Sequence, residues 1–205
     1  MTAEPSLLVA RVALLAALSG LFLGAFAVAR SSEAHATVSL AVTYRGLVET
    51  SSAIVVATPR ERRSAWQAGR ITTYTRLHVE RAVAGTVDVD VWVRTLGGEV
   101  DGVGQLVDGE ASFALGRPTL VFLRPAADGV LAVTSRAQGL YELHTDARGT
   151  TRLARTHAGA LLAPRAPHPP AAAAALAADV LEKAELGEAC SALAAAFGEA
   201  RERIR

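Results

Sequence analysis

Four carboxylates and five glycines crowd into GGEVDGVGQLVDGE, Gly97–Glu110, the densest concentration of potential chemistry in the chain. Glu99 and Asp101 stand two residues apart, as do Asp108 and Glu110, so extended backbone would send both members of each pair to one side. Carboxylates on a glycine-rich loop, joined by backbone carbonyls, are a donor set for Ca²⁺, although the ligand order of an EF-hand is absent. Paired carboxylates also cleave glycosidic bonds, but a sugar cleft wants aromatic platforms and only 5% of this chain is aromatic. A phosphate cradle does not fit, because such a loop opens a helix and this one lies between strand patterns. The simplest expectation is a long hairpin whose glycines take positive φ. Such loops on rigid scaffolds carry binding, which makes Gly97, Gly98, Glu99, Asp101, Gly102, Gly104 and Gln105 the candidate contact residues.

Other reactive residues are sparse. The five histidines are His35, His78, His144, His157 and His168, and no two have the i, i+4 spacing of a helical metal site. His78 and His144 could share a metal only if the sheet brought them together beside a carboxylate. The lone cysteine, Cys190, lies in an alanine-rich helical pattern with no cation evident nearby, and reads as a buried, inert thiol. No serine occupies a G-x-S-x-G elbow. The expectation is a non-enzyme with no catalytic residue, no metal and no cofactor.

The elements that must position the loop follow from period-two patterns. Ile71, Thr73, Thr75, Leu77, Val79 and Val83 share one parity, against Thr72, Tyr74, Arg76, His78 and Glu80 on the other, which predicts a strand with one buried face. Val89, Val91 and Val93 alternate with Asp88, Asp90, Trp92 and Arg94 in the next strand. The short turn at Ala84-Gly85 requires the two to be antiparallel. Ahead of them, Thr37–Ser52 predicts a short strand and a helix of about two turns. Ala53–Thr58 (AIVVAT) predicts a buried strand ended by Pro59, and Pro59–Gly69 a polar loop with Trp66 exposed. Beyond the glycine loop, Thr119–Leu123, Val130–Thr134 and Leu140–His144 predict three strands, with Asp128-Gly129 as a hairpin turn. Arg148-Gly149 turns into a weak strand at Thr151–Ala154. Short strands with tight turns predict a mainly β domain, a small antiparallel OB-like barrel or sandwich, over residues 37–155. Residues 156–170, containing PRAPHPP, predict a stiff linker. Residues 171–205 predict a helical tail, Ala171–Glu185 and Glu188–Arg203 with a break at Gly187, that packs on the barrel.

Residues 1–36 carry the address. Arg11 precedes an uncharged apolar run, Val12–Ala29, followed by a short polar stretch and the small-x-small site Ala34-His35-Ala36. This is the pattern of a signal peptide; if it is not cleaved, residues 7–29 form an N-terminal transmembrane anchor. Both outcomes export the rest of the chain to the periplasm or beyond. The formal charge of +1 is unchanged by removing residues 1–36, which hold two acids and two arginines. That balance leaves no electrostatic footprint for nucleic acid, and the Arg60–Arg63 cluster (RERR) reads as a solvated loop.

Read together, LVETSSAIVVATP, GRITTYTRLHVERAVAG, GGEVDGVGQ, GRPTLVFL and QGLYEL resemble a group of exported bacterial proteins with a GGxxxGxGQ loop and no assigned activity. More distantly, a helix, the AIVVAT strand and a long strand ending in VERAVAG look like the netrin-type OB-like barrel of the tissue inhibitors of metalloproteinases. That resemblance implies a closed five-stranded sheet with a helix at one end. Those inhibitors chelate the protease zinc with an N-terminal cysteine held by disulfides, whereas cleavage here would expose Thr37 in a chain with a single cysteine. The leading expectation is an exported binding module with a protein partner in the envelope or outside the cell. Its rivals are a netrin-type protease inhibitor and a metal-dependent module using the glycine-acid loop.

Overall fold

The computed structural model describes residues 39–126, 129–156, 161–162 and 175–203. Residues 1–36, expected to be a signal peptide or anchor, and most of residues 156–170, expected to be a linker, therefore lie outside the described residues. The architecture is mainly β. A seven-stranded sheet holds, in chain order, β2 (Ala53–Gln67), β3 (Arg70–Gly85), β4 (Asp90–Leu96), β7 (Thr119–Pro125), β8 (Leu131–Val133), β9 (Leu140–Thr145) and β10 (Thr151–Arg155). The spatial order is β10-β9-β7-β2-β3-β4-β8, and β8 pairs a second time, with β7. All of these pairings are antiparallel except β4 with β8, which is parallel. Two small sheets complete the strands: β1 (Ser39–Leu40) with β11 (Leu161–Leu162), and β5 (Gly98–Val100) with β6 (Val103–Gln105).

Three helices accompany the sheet: α1 (Tyr44–Glu49), α2 (Ala177–Leu181) and α3 (Leu186–Glu202). Thr43 caps α1, its hydroxyl accepting from the Gly46 N–H at 3.0 Å. The tail packs rather than hanging free. Leu181, Ala189, Cys190 and Leu193 are buried with Leu47 and Val48 of α1 against Ile54, Val56, Leu120, Phe122 and Tyr141 of the sheet. The opposite face of the same strands forms a second core, in which Val55, Ala57, Leu77, Val93, Val121 and Leu123 meet Phe113, Val133 and Leu140. AIVVA and TLVFL read as continuous apolar runs because both faces of β2 and β7 are covered.

Three sequence expectations need correction. Pro59–Gly69 is not a loop: β2 continues through it to Gln67 and pairs with β3 down to a two-residue turn at Ala68-Gly69. Pro59 is tolerated because the register shifts between Pro59 and Glu61, leaving Arg60 as a bulge, one of the few places a strand accepts proline. In the tail, helix within the described part of 171–185 is limited to Ala177–Leu181; residues 171–174 lie outside the described residues. Gly187 does not break a helix but sits in the first turn of α3, where its backbone cost is small. The chain turns instead at Lys183, which takes φ +67.

Candidate functional site

The glycine-acid loop is the β5–β6 hairpin. Asp101 and Gly102 form its turn, with φ +51 and +76, the two positive values of a type I′ turn between the paired Val100 and Val103. Neither carboxylate pair has the extended backbone needed to aim it as a pair. Asp101 is in the turn, while Gly109, at φ +71, bends the chain between Asp108 and Glu110. Among the described residues no group of three or more His, Cys, Asp or Glu side chains could hold a metal ion. His78 lies beside Asp90 on β4 at 3.2 Å, and His144 beside Glu142 on its own strand at 3.5 Å.

The candidate residues divide by what they do. Gly97, Gly98 and Gln105 clamp the hairpin to the large sheet. The Gly97 N–H donates to the Ile71 carbonyl at 2.8 Å, and the Ile71 N–H donates to the Gln105 side-chain oxygen at 2.6 Å. The Thr73 hydroxyl donates to the Gly97 carbonyl and contacts the Ser64 hydroxyl at 2.9 Å. Gly98, at φ +131, lies so close to that pair that an added Cβ would stand 2.2 Å from Thr73 Oγ1 and 2.8 Å from Ser64 Oγ. Glu99, Asp101, Gly102 and Gly104 are exposed, with open space where a Cβ on Gly102 or Gly104 would stand.

Clamping the hairpin over the sheet leaves a cleft of about 640 Å³ beneath it. Its walls come from Arg62 and Ser64 on β2, Thr73 and Thr75 on β3, Thr95 on β4, the hairpin itself, and Glu110–Phe113 on the far side. Leu106, 95% exposed, and Val103, 51% exposed, leave apolar surface at the hairpin. The described lining holds serine and threonine hydroxyls but no histidine, cysteine or lysine to activate them. Glu110 is a partly buried carboxyl on the cleft wall. Burial pushes its carboxyl above the ordinary carboxylate value, opposed by the Ala111 N–H and by Arg136, Arg124 and Arg94.

The sequence signal for part of this site was the RERR cluster. A strand, not a solvated loop, carries it, and Arg62 reaches the cleft. Glu61 is shared by Arg63 and Arg76, and Arg63 covers the Trp92 ring at 5.1 Å on the outer face. Cys190 also differs from expectation: a cation is present, since Arg81 Nη2 donates to its sulfur. Burial still dominates and raises the thiol above its ordinary value, so Arg81 does not make it a reactive thiolate. Comparison with family models, curated proteins and solved structures finds no match to this chain.

Proposed function

We propose that the protein is an exported, non-enzymatic binding module of the bacterial envelope, built on an OB-like barrel, with its contact surface at the cleft beneath the β5–β6 hairpin. The barrel reading is supported by the pairings: β2-β3-β4-β8-β7 returns to β2, with β4 and β8 as its parallel pair. Five strands closed in this way remove most sheet edges and leave loops at the ends for binding. Export is supported by Val12–Ala29 and Ala34-His35-Ala36. The observation that carries the binding reading is the cleft itself, a preformed concavity whose roof is fixed by glycine contacts and whose lining offers hydroxyls, Arg62, Glu99 and Glu110.

Capture from the producing cell's envelope tests the reading, using the intact chain beside Leu106→Asp and the double variant Glu99→Ala/Asp101→Ala. Leu106 is exposed, so its replacement leaves the fold intact. A component held by the intact chain and lost from Leu106→Asp supports the cleft as the contact surface. Identical captures, or none, overturn it. Cell fractionation that recovers the chain in the cytoplasm overturns the export reading.

A further inference from the structure

One wall of the cleft is an unpaired strand edge. β2 is flanked by β3 along nearly its whole length, but β7 covers its other side only from Ala53 to Ala57. The Gly116 N–H closes the edge at the Pro59 carbonyl, at 2.8 Å. From Arg60 to Gln67 no described strand runs alongside.

The direction of the backbone groups there follows from the turn. A two-residue hairpin makes its flanking residues, Gln67 and Arg70, a hydrogen-bonded pair, so the pairs alternate from that point. Trp66–Ile71, Ser64–Thr73 and Arg62–Thr75 are then the pairs not bonded to each other. Ile71 bears this out, because its N–H and C=O turn away from β2 to Gln105 and Gly97. Arg62, Ser64 and Trp66 therefore direct an N–H and a C=O each toward the open side, which is the template for an added strand. An incoming strand would alternate its side chains between solvent and the cleft that Arg62 and Ser64 line.

Charge selects the occupant. Among the described residues Arg60 and Arg62 have no carboxylate partner, and Glu61 is already engaged by Arg63 and Arg76. A second copy of this edge would add three more arginines and only a Glu61 already engaged by its own Arg63 and Arg76, so it offers no free carboxylate to Arg60 and Arg62, which disfavours self-pairing. We infer that β2 takes up an extended, acidic peptide segment of another protein by strand addition along Arg60–Gln67, with alternate side chains entering the cleft. This rests on the cleft being the contact surface and names its partner class.

The test uses the full chain and a short capped peptide of alternating valine and glutamate, followed by fluorescence anisotropy and amide hydrogen exchange. Binding is expected, with exchange slowed at the Arg62, Ser64 and Trp66 amides and affinity falling as salt rises. Methylating alternate backbone nitrogens of the peptide should weaken binding by about tenfold or more, and this arm leaves the protein untouched. Ser64→Pro removes an N–H that β3 does not use, so it should weaken binding by more than Ser64→Ala, which loses the hydroxyl but keeps that N–H. The inference is overturned by no binding, by equal binding of the methylated peptide or of a valine–lysine peptide, or by a dimer that Ser64→Pro dissolves. Envelope capture lost in Leu106→Asp but kept in Ser64→Pro would overturn strand addition and leave the cleft reading standing.

Discussion

The two halves of β2 are one strand under opposite regimes. Ala53–Ala57 lies between β3 and β7, with Ile54 and Val56 in the helix-covered core and Val55 and Ala57 in the other. Among the described strands Arg60–Gln67 has one neighbour, and it carries four charged side chains, Ser64, Ala65, Gln67 and a 51% exposed Trp66. The change occurs at Pro59, where the bulge and the Gly116 contact end the sealed half. Stability is concentrated in the first half. The second is held by its hairpin, and its other edge is open among the described strands.

The largest expected effect breaks the sealed half. Ile54 is fully buried, so Ile54→Ala should cost about 2–5 kcal/mol in chemical denaturation. Arg63→Ala in the open half should cost less than about 1 kcal/mol, because both its ion pair and its contact with Trp92 are solvent-exposed. A similar loss from both would erase the distinction. Next, Gly98→Ala should cost about 1–3 kcal/mol from its backbone angle, with the crowding at Thr73 and Ser64 added. Gly104→Ala, at ordinary φ and with open space, should be close to neutral, and urea midpoints of the two compare the clamp with the tip. A smaller gain is expected at the turn that joins the open half to β3. Ala68 has φ +47 in a type I′ turn, so Ala68→Asn should stabilise by about 1 kcal/mol, read as a raised midpoint.

The smallest effect concerns pH. Glu110 has a raised folded value, so the folded chain holds that proton more tightly than the unfolded chain does. Stability therefore falls as pH rises from the unfolded carboxylate value through the folded one. Glu110→Gln should raise the melting temperature at neutral pH, and the advantage should vanish below the ordinary carboxylate range. An unchanged pH profile would show that the cleft wall does not desolvate this group.

Much of the sheet was legible from residue pattern. Ile71–Leu77 alternates because one face meets the core, and the turn foreseen at 128–129 falls between the paired Leu123–Pro125 of β7 and Leu131–Val133 of β8, although Asp128 itself lies outside the described residues. The extension of β2 was not legible, since proline followed by RERR has the composition of a loop. Only pairing with β3 makes strand the favourable state there. At the glycine loop the positive φ angles were foreseeable. Which glycines clamp and which stay open was not, because that depends on Thr73 and Ser64 lying beneath Gly98. Arg81 meets Cys190 across more than a hundred residues of chain, a distance no local pattern encodes.

By itself the sequence determined the apolar run Val12–Ala29, the strand periodicities, the turn chemistry and the near-zero charge, all of which are local or compositional. Tertiary structure alone decided that AIVVA and TLVFL are covered on both faces, that the tail helix docks, and that a cleft opens beside a bare strand edge. The physical reason is that burial and edge exposure depend on which distant segments arrive as neighbours. A residue's type limits which neighbours it can accept, but only the assembled sheet determines which ones it has.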